Sequence, residues 1–541
     1  MICSTKRALR IVCTGITRTA VLASTLLLCM CGEKDPLESE MEDGILAEEF
    51  AVKDARMSTL KNEIRKHNLL RLEGKESLAD YPYIANMLQY DIGIRAGLDP
   101  IIYTNLAQAG AQLQARNDAG ETALHLAVIH NLSRHIGVLA TAGADMNALN
   151  AQGMTPLTLA VQRGQSKVID ALIANKANPD TTNGDGTTTL HKAAEIGNAD
   201  MVQAILKAGA DAKASTPSGE TALHIAAKTG SLAIATALIE AGCDLNRPTG
   251  GGETAAALAA KNKRIEVLKE LARAGADLNR KNRKGNTILL DAIERGQEDV
   301  IIFLLQAKAN PNLAGKNKLS PLHLAARKGN ASVVRKLLAA GADINAKNRT
   351  GHYSLYEAIL HGRTEAAEAL LNAKGADKLV AQQGTDMLFC AIERNQVRMV
   401  RLLLSSGADA NGKHANGALP LHSAIDKGND EMVMHLLHSG ADMTVKDGHG
   451  YLPLHKAAVT GRADIVLALI QAGAEVNKQD DYKYTAIHYA AKKGHMKVAE
   501  YLVKAGANLK LKDCNGVTPL QEAKLSEQDD MAEYLESAGG I

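Results

Sequence analysis

Thr122-Ala-Leu-His-Leu-Ala127 returns along the chain as Thr221-Ala-Leu-His-Ile-Ala-Ala227, Ser320-Pro-Leu-His-Leu-Ala-Ala326 and Thr485-Ala-Ile-His-Tyr-Ala-Ala491. Its central leucine falls every 33 residues at Leu124, Leu157, Leu190 and Leu223. The series skips one unit and resumes at Leu289, Leu322, Leu355, Leu388, Leu421 and Leu454, then Ile487 and Leu520. Units counted from Asn117 run to thirteen with no net insertion, the last one shortened at residue 541. A fixed period of this length marks a repeat solenoid, in which each unit buries its apolar face on its neighbours.

The residues within a unit specify two short helices. A Thr-Pro or Ser-Pro step starts the first, because Pro lacks only an N–H that the first turn leaves unpaired, and the hydroxyl caps that turn. The Ala-Ala step lets helices approach closely. Glycine at unit position 15, as in Gly164, Gly197, Gly230 and Gly296, permits a tight turn. Leucine pairs such as Leu337-Leu338 and Leu402-Leu403 face the stack. Gly-Ala-Asp-x-Asn, at Gly143–Asn147, Gly275–Asn279 and Gly341–Asn345, then ends the second helix and turns the chain outward.

Together these words resemble the ankyrin repeat over residues 117–541, with a divergent unit before it ending at Gly110-Ala-Gln-Leu113. The resemblance implies an all-α solenoid of helix pairs with projecting β-turn fingers, and a role in binding other proteins. It also implies that the motif histidines (His125, His191, His224, His323, His422, His455 and His488) hydrogen-bond turn backbone. Histidines one unit apart sit too far from each other to share a metal, whose nitrogen ligands lie near 2 Å.

Two departures stand out. Unit 5 has Ala256 where leucine belongs, after a Thr249-Gly-Gly-Gly252 finger, which predicts a soft joint, since a buried Leu→Ala change costs about 2–5 kcal/mol. Unit 8 carries Lys374-Gly375-Ala376-Asp377 one residue late, with register restored by Gly384 and Leu388. A kink, or a junction of two half-arrays near residue 380, is expected there.

Hydrophobic residues make up 46% of the chain while aromatics are 3% and Trp is absent, so small aliphatics must fill the core. The net charge of +2 gives no global field toward nucleic acid or membrane. Lys6, Arg7, Arg10 and Arg18 precede the apolar run Thr19–Cys31, the pattern of an export signal too short to span a bilayer comfortably. Its Leu-rich end, Cys29-Met-Cys-Gly32, resembles a bacterial lipoprotein signal, which implies lipidation at Cys31, with Cys29 as second choice. Met30 and Leu28 depart from the small residue that such signals place before the cysteine.

The expected organisation is a signal over 1–31, an acidic tether over 32–49, and a helical lead-in with a capping repeat over 50–116. The repeat array occupies 117–541. From Glu33 to Glu49 there are eight acids against one lysine, the composition of a solvated tether.

In the ankyrin family, partners meet finger tips and the inner ends of first helices, at unit positions 2, 3, 5, 13 and 14. Those positions mark a basic set, Arg283, Lys284, Arg295, Lys316, Arg327, Lys328 and Arg349, and an aromatic set, His449, Tyr451, Tyr482, Tyr484, Lys492 and Lys493. Aromatic and arginine side chains are favoured at binding hot spots. The competing reading of the basic set is a solvated face balanced by Glu294 and other acids.

Catalytic words are missing: there is no Gly-x4-Gly-Lys-Ser/Thr, no His-Glu-x-x-His and no Gly-x-Ser-x-Gly. His435 and His438 lie three apart but lack a clear third ligand. One short basic stretch is too little for a nucleic-acid face. No catalytic, cofactor or metal residue is assigned, and no small-molecule substrate. The sequence therefore predicts a non-enzymatic, exported, lipid-anchored scaffold for a protein partner; the alternatives are a secreted soluble effector and, behind it, a repeat-bearing enzyme or toxin.

Overall fold

The computed structural model describes residues 113, 114 and 116–540. The signal, the acidic tether, both candidate lipidation cysteines and most of the lead-in lie outside the described residues.

Twenty-six α-helices pair off along the described residues, with no strand beyond the isolated bridge between Ser215 and Thr221. The chain divides into two compact units, Met1–Lys192 and Ala193–Ile541. In the described part of the first, Ala123–Ile129 pairs with Ser133–Thr141 and Pro156–Gln162 with Ser166–Ala174. Helix Thr189–Ile196 carries the dividing point, and the second unit runs from Ala199–Lys207 to Asp529–Ser537. The division falls there and not near residue 380, so the expected junction of half-arrays is misplaced.

Most of these helices have seven to nine residues, too short to hold in water alone. Packing and caps hold them. In the pair Pro321–Lys328 and Ala331–Ala339, Ser320 Oγ accepts the backbone N–H of His323, and Gly329 closes the first helix at φ 83°, a left-handed conformation that costs glycine little. Leu322, Ala325, Ala326, Val334 and Leu337 are fully buried between the pair and its neighbours.

The motif histidines make the bonds the resemblance implied. Nδ1 of His323 lies 2.7 Å from Ser320 Oγ, and Nε2 lies 3.0 Å from the carbonyl of His352, in the next finger. His125 reaches Met154 O, His422 reaches Tyr451 O and His488 reaches Val517 O in the same way. His224 and His455 bond the carbonyls of Arg247 and Lys478 instead. Burial lowers the pKa of all six below the ordinary histidine value. Neutral rings that donate at Nε2 satisfy this geometry.

Ala256 is buried inside the continuous helix Ala255–Lys261, capped by Thr254, so the lost leucine leaves no break. The second departure is larger than a kink. After Gly375 (φ 92°) the chain runs as one helix, Ala376–Glu393, and the finger of unit 9 is absent. In seven units the first finger residue is an Asn or Asp whose carboxamide or carboxylate oxygen accepts two backbone N–H groups, as Asn150 does from Gln152 and Met154 and Asp447 from His449 and Tyr451. In unit 9 that position is Ala381, which offers no side-chain acceptor; Gly315 in unit 7 offers none either, and its finger still closes through Gly315 N–H donating to Leu319 O at 3.0 Å. Gly384 lies within this helix; a Cβ there would meet Val380 Cγ1 at 3.1 Å and Ala408 Cα at 3.6 Å.

Candidate partner-binding surface

All thirteen marked positions are exposed or half-buried, and all lie in the second compact unit. In the basic set, Arg327 is half-buried and the other six are exposed. None of the seven has an acidic partner among the described residues, and Glu294 pairs with none of them. Two nearby carboxylates are turned inward, Asp291 accepting from Asn282 Nδ2 at 2.8 Å and Asn286 Nδ2 at 2.9 Å, and Glu357 from Asn348 Nδ2 at 2.9 Å, while Glu294 is exposed. The fingers are joined through the backbone, with Arg349 N–H donating to Asn317 O at 2.9 Å, and Lys281 Nζ reaches Ala314 O.

The aromatic set is brought together only in part. Tyr451 and Tyr484 are half-buried and meet through a residue the positional rule passed over, Tyr489, with ring centroids 5.3 Å and 5.0 Å away. Tyr489 is nearly buried, donates its hydroxyl to Asp480 Oδ2, and has its phenol pKa raised by burial and that carboxylate. Burial also pushes the Tyr484 phenol up to about 12. Lys492 Nζ stands 5.5 Å over the Tyr484 ring and 2.8 Å from Glu522, whose carboxylate holds the ammonium pKa high. His449 lies 6.4 Å from the Tyr451 ring.

Tyr482 stands apart, 61% exposed at a finger tip, its carbonyl accepting the N–H of Cys514. Lys493 is exposed at the end of helix Ala486–Lys493. Lys456, also passed over, is fixed between Asp426 (3.1 Å) and Asp447 (3.2 Å); burial opposes its charge, yet the two carboxylates hold its pKa above the ordinary lysine value. Tyr489 and Lys456 share unit position 10 with Asp291, Glu357 and Glu522. A polar residue recurring there, nine after a finger's first Asn or Asp, was the available signal.

Other chemistry has little support in the geometry. Among the described residues no cluster of three His, Cys, Asp or Glu could hold a metal, and His435 Nε2 lies 3.7 Å from Glu431. Cys243, Cys390 and Cys514 form no disulfide, and burial pushes the Cys243 thiol up to about 11. No helix among the described residues is long and apolar enough to cross a membrane.

Short helix pairs at a fixed period, joined by turns, define a helical-repeat interaction scaffold. The family model described as ankyrin repeats (three copies) matches residues 94–183, 159–249, 248–315, 307–382, 355–447, 388–480 and 454–540. The chain belongs to the ankyrin-repeat family. No curated protein matches it.

Proposed function

We propose that this protein is an exported, lipid-anchored scaffold that binds a partner protein through its fingers and the inner ends of its first helices. The observation that supports the binding half best is Tyr482. A large aromatic ring left 61% exposed at a finger tip, beside an ordered cluster of three tyrosines, has the character of a contact anchor. The export half rests on the basic and apolar N-terminal run and on Cys31, with Cys29 as the second candidate. The scaffold performs no chemistry of its own in this reading.

Two measurements test it. Palmitate labelling of the full chain is expected to be lost in Cys31→Ala, or failing that in Cys29→Ala, and to be sensitive to globomycin; labelling that survives both substitutions removes the anchor. A photo-crosslinking residue at exposed Lys483, beside Tyr482, is expected to trap one defined protein in the producing cell's envelope or its host. Replacing Tyr451, Tyr482 and Tyr484 together would be a poor test, because Tyr451 and Tyr484 pack on Tyr489. Tyr482→Ser alone removes the exposed ring, and unchanged capture by that variant counts against this surface.

A further inference from the structure

The fingers of units 6, 7 and 8 read Arg280-Lys-Asn-Arg-Lys-Gly-Asn286, Leu313-Ala-Gly-Lys-Asn-Lys-Leu319 and Ala346-Lys-Asn-Arg-Thr-Gly-His352. They contain eight cations and no acid. Unpaired like charges on neighbouring turns cost free energy, so their concentration calls for a compensating anion. The described residues do not supply it: the marked cations have no ion-pair partner among them, and the inner-face carboxylates of Asp291 and Glu357 are engaged by asparagine amides. The stretch also has definite ends. On one side the unit 5 finger is Thr249-Gly-Gly-Gly252, its Glu253 already paired with Lys261 at 2.9 Å; on the other, helix Ala376–Glu393 takes the place of a finger.

We propose that these three fingers bind an extended acidic polypeptide segment, the charge lying along Arg283 and Lys284, Lys316 and Arg349. The inference rests on the reading of the chain as a protein-binding scaffold and names the partner chemistry of one surface. Packed helices lie about 8–10 Å apart, so two finger steps cover roughly 16–20 Å. An extended chain rises about 3.3 Å per residue, which makes the occupant about six or seven residues long with an acid near every third position. A nucleic acid fits less well, because the three fingers contain no Tyr, Trp or Phe on which bases would stack.

The test uses the full chain and a fluorescein-labelled nonapeptide, Glu-Glu-Ser repeated three times, at several salt concentrations. The variant Arg283→Ala/Lys316→Ala/Arg349→Ala is expected to bind it at least about tenfold more weakly and with a shallower salt dependence. The charge-matched variant Lys269→Ala/Arg335→Ala/Lys374→Ala, which removes second-helix and turn cations lining open grooves, is expected to bind as the unaltered chain does. Circular dichroism of both variants separates lost binding from lost fold; should the finger variant unfold, charge reversal at exposed Lys284 alone (Lys284→Glu) is the substitute. Equal loss in both variants, or tighter binding of a nine-nucleotide oligothymidylate than of the peptide, overturns the proposal. Capture beside Tyr482 is read independently, so failure here leaves the scaffold reading standing.

Discussion

A single hydroxyl links cap, histidine and finger. Thr221 Oγ1 lies 2.8 Å from His224 Nδ1, while His224 Nε2 bonds the Arg247 carbonyl. Units 10 and 11 show what its loss does: Leu419 and Leu452 replace the threonine, and Nδ1 of His422 and of His455 is buried without a partner. Thr221→Val is therefore expected to lower stability by about 1–2 kcal/mol, from the lost cap and from a ring nitrogen left with only the residue 221 backbone N–H, at 3.1 Å. A urea titration that finds no change removes the role assigned to this hydroxyl. Tyr489→Phe tests the aromatic cluster in the same way. Its lost hydroxyl leaves a lone pair of Asp480 unfilled, for about 1 kcal/mol, and near-ultraviolet circular dichroism should report altered packing of Tyr451 and Tyr484.

Among elements, helix Ala376–Glu393 is the one whose identity can be tested most sharply. Gln382 occupies the unit position that Pro217 holds in the finger of unit 4. A proline there is harmless to a finger but removes a hydrogen bond from a helix interior and clashes with the preceding turn. Gln382→Pro should accordingly cost about 3 kcal/mol or more, and a thermal scan that shows no loss would restore the finger. The helix pairs themselves were legible in sequence, because caps, glycines and leucine spacing act within a few residues. This exception was half legible. The late Gly375 signalled a disturbance, but its nature, a single helix over Ala376–Glu393, depended on packing that the periodic word leaves open.

For the whole molecule, six buried histidines titrate in one direction. Burial lowers each pKa below the unfolded value of about 6.5. Below that pH the unfolded chain binds more protons than the folded one, so stability is complete above it and is lost as pH falls toward the folded-state values. The urea midpoint at pH 5.0 should lie below that at pH 7.5, and an equal or higher midpoint would contradict the linkage.

The sequence by itself determined the ankyrin period, the all-α class and the chemistry on offer at the fingers. Each of these is written in residues close enough along the chain to act on one another directly. Only the tertiary structure decided which offered side chains remain free. Lys492 and Lys456 are tied to carboxylates about thirty residues away, and Tyr451 and Tyr484 are drawn onto Tyr489, whereas Arg283, Lys316 and Arg349 find no acidic partner among the described residues. Pairing of that kind depends on distances across neighbouring repeats, which packing sets and a periodic word leaves open.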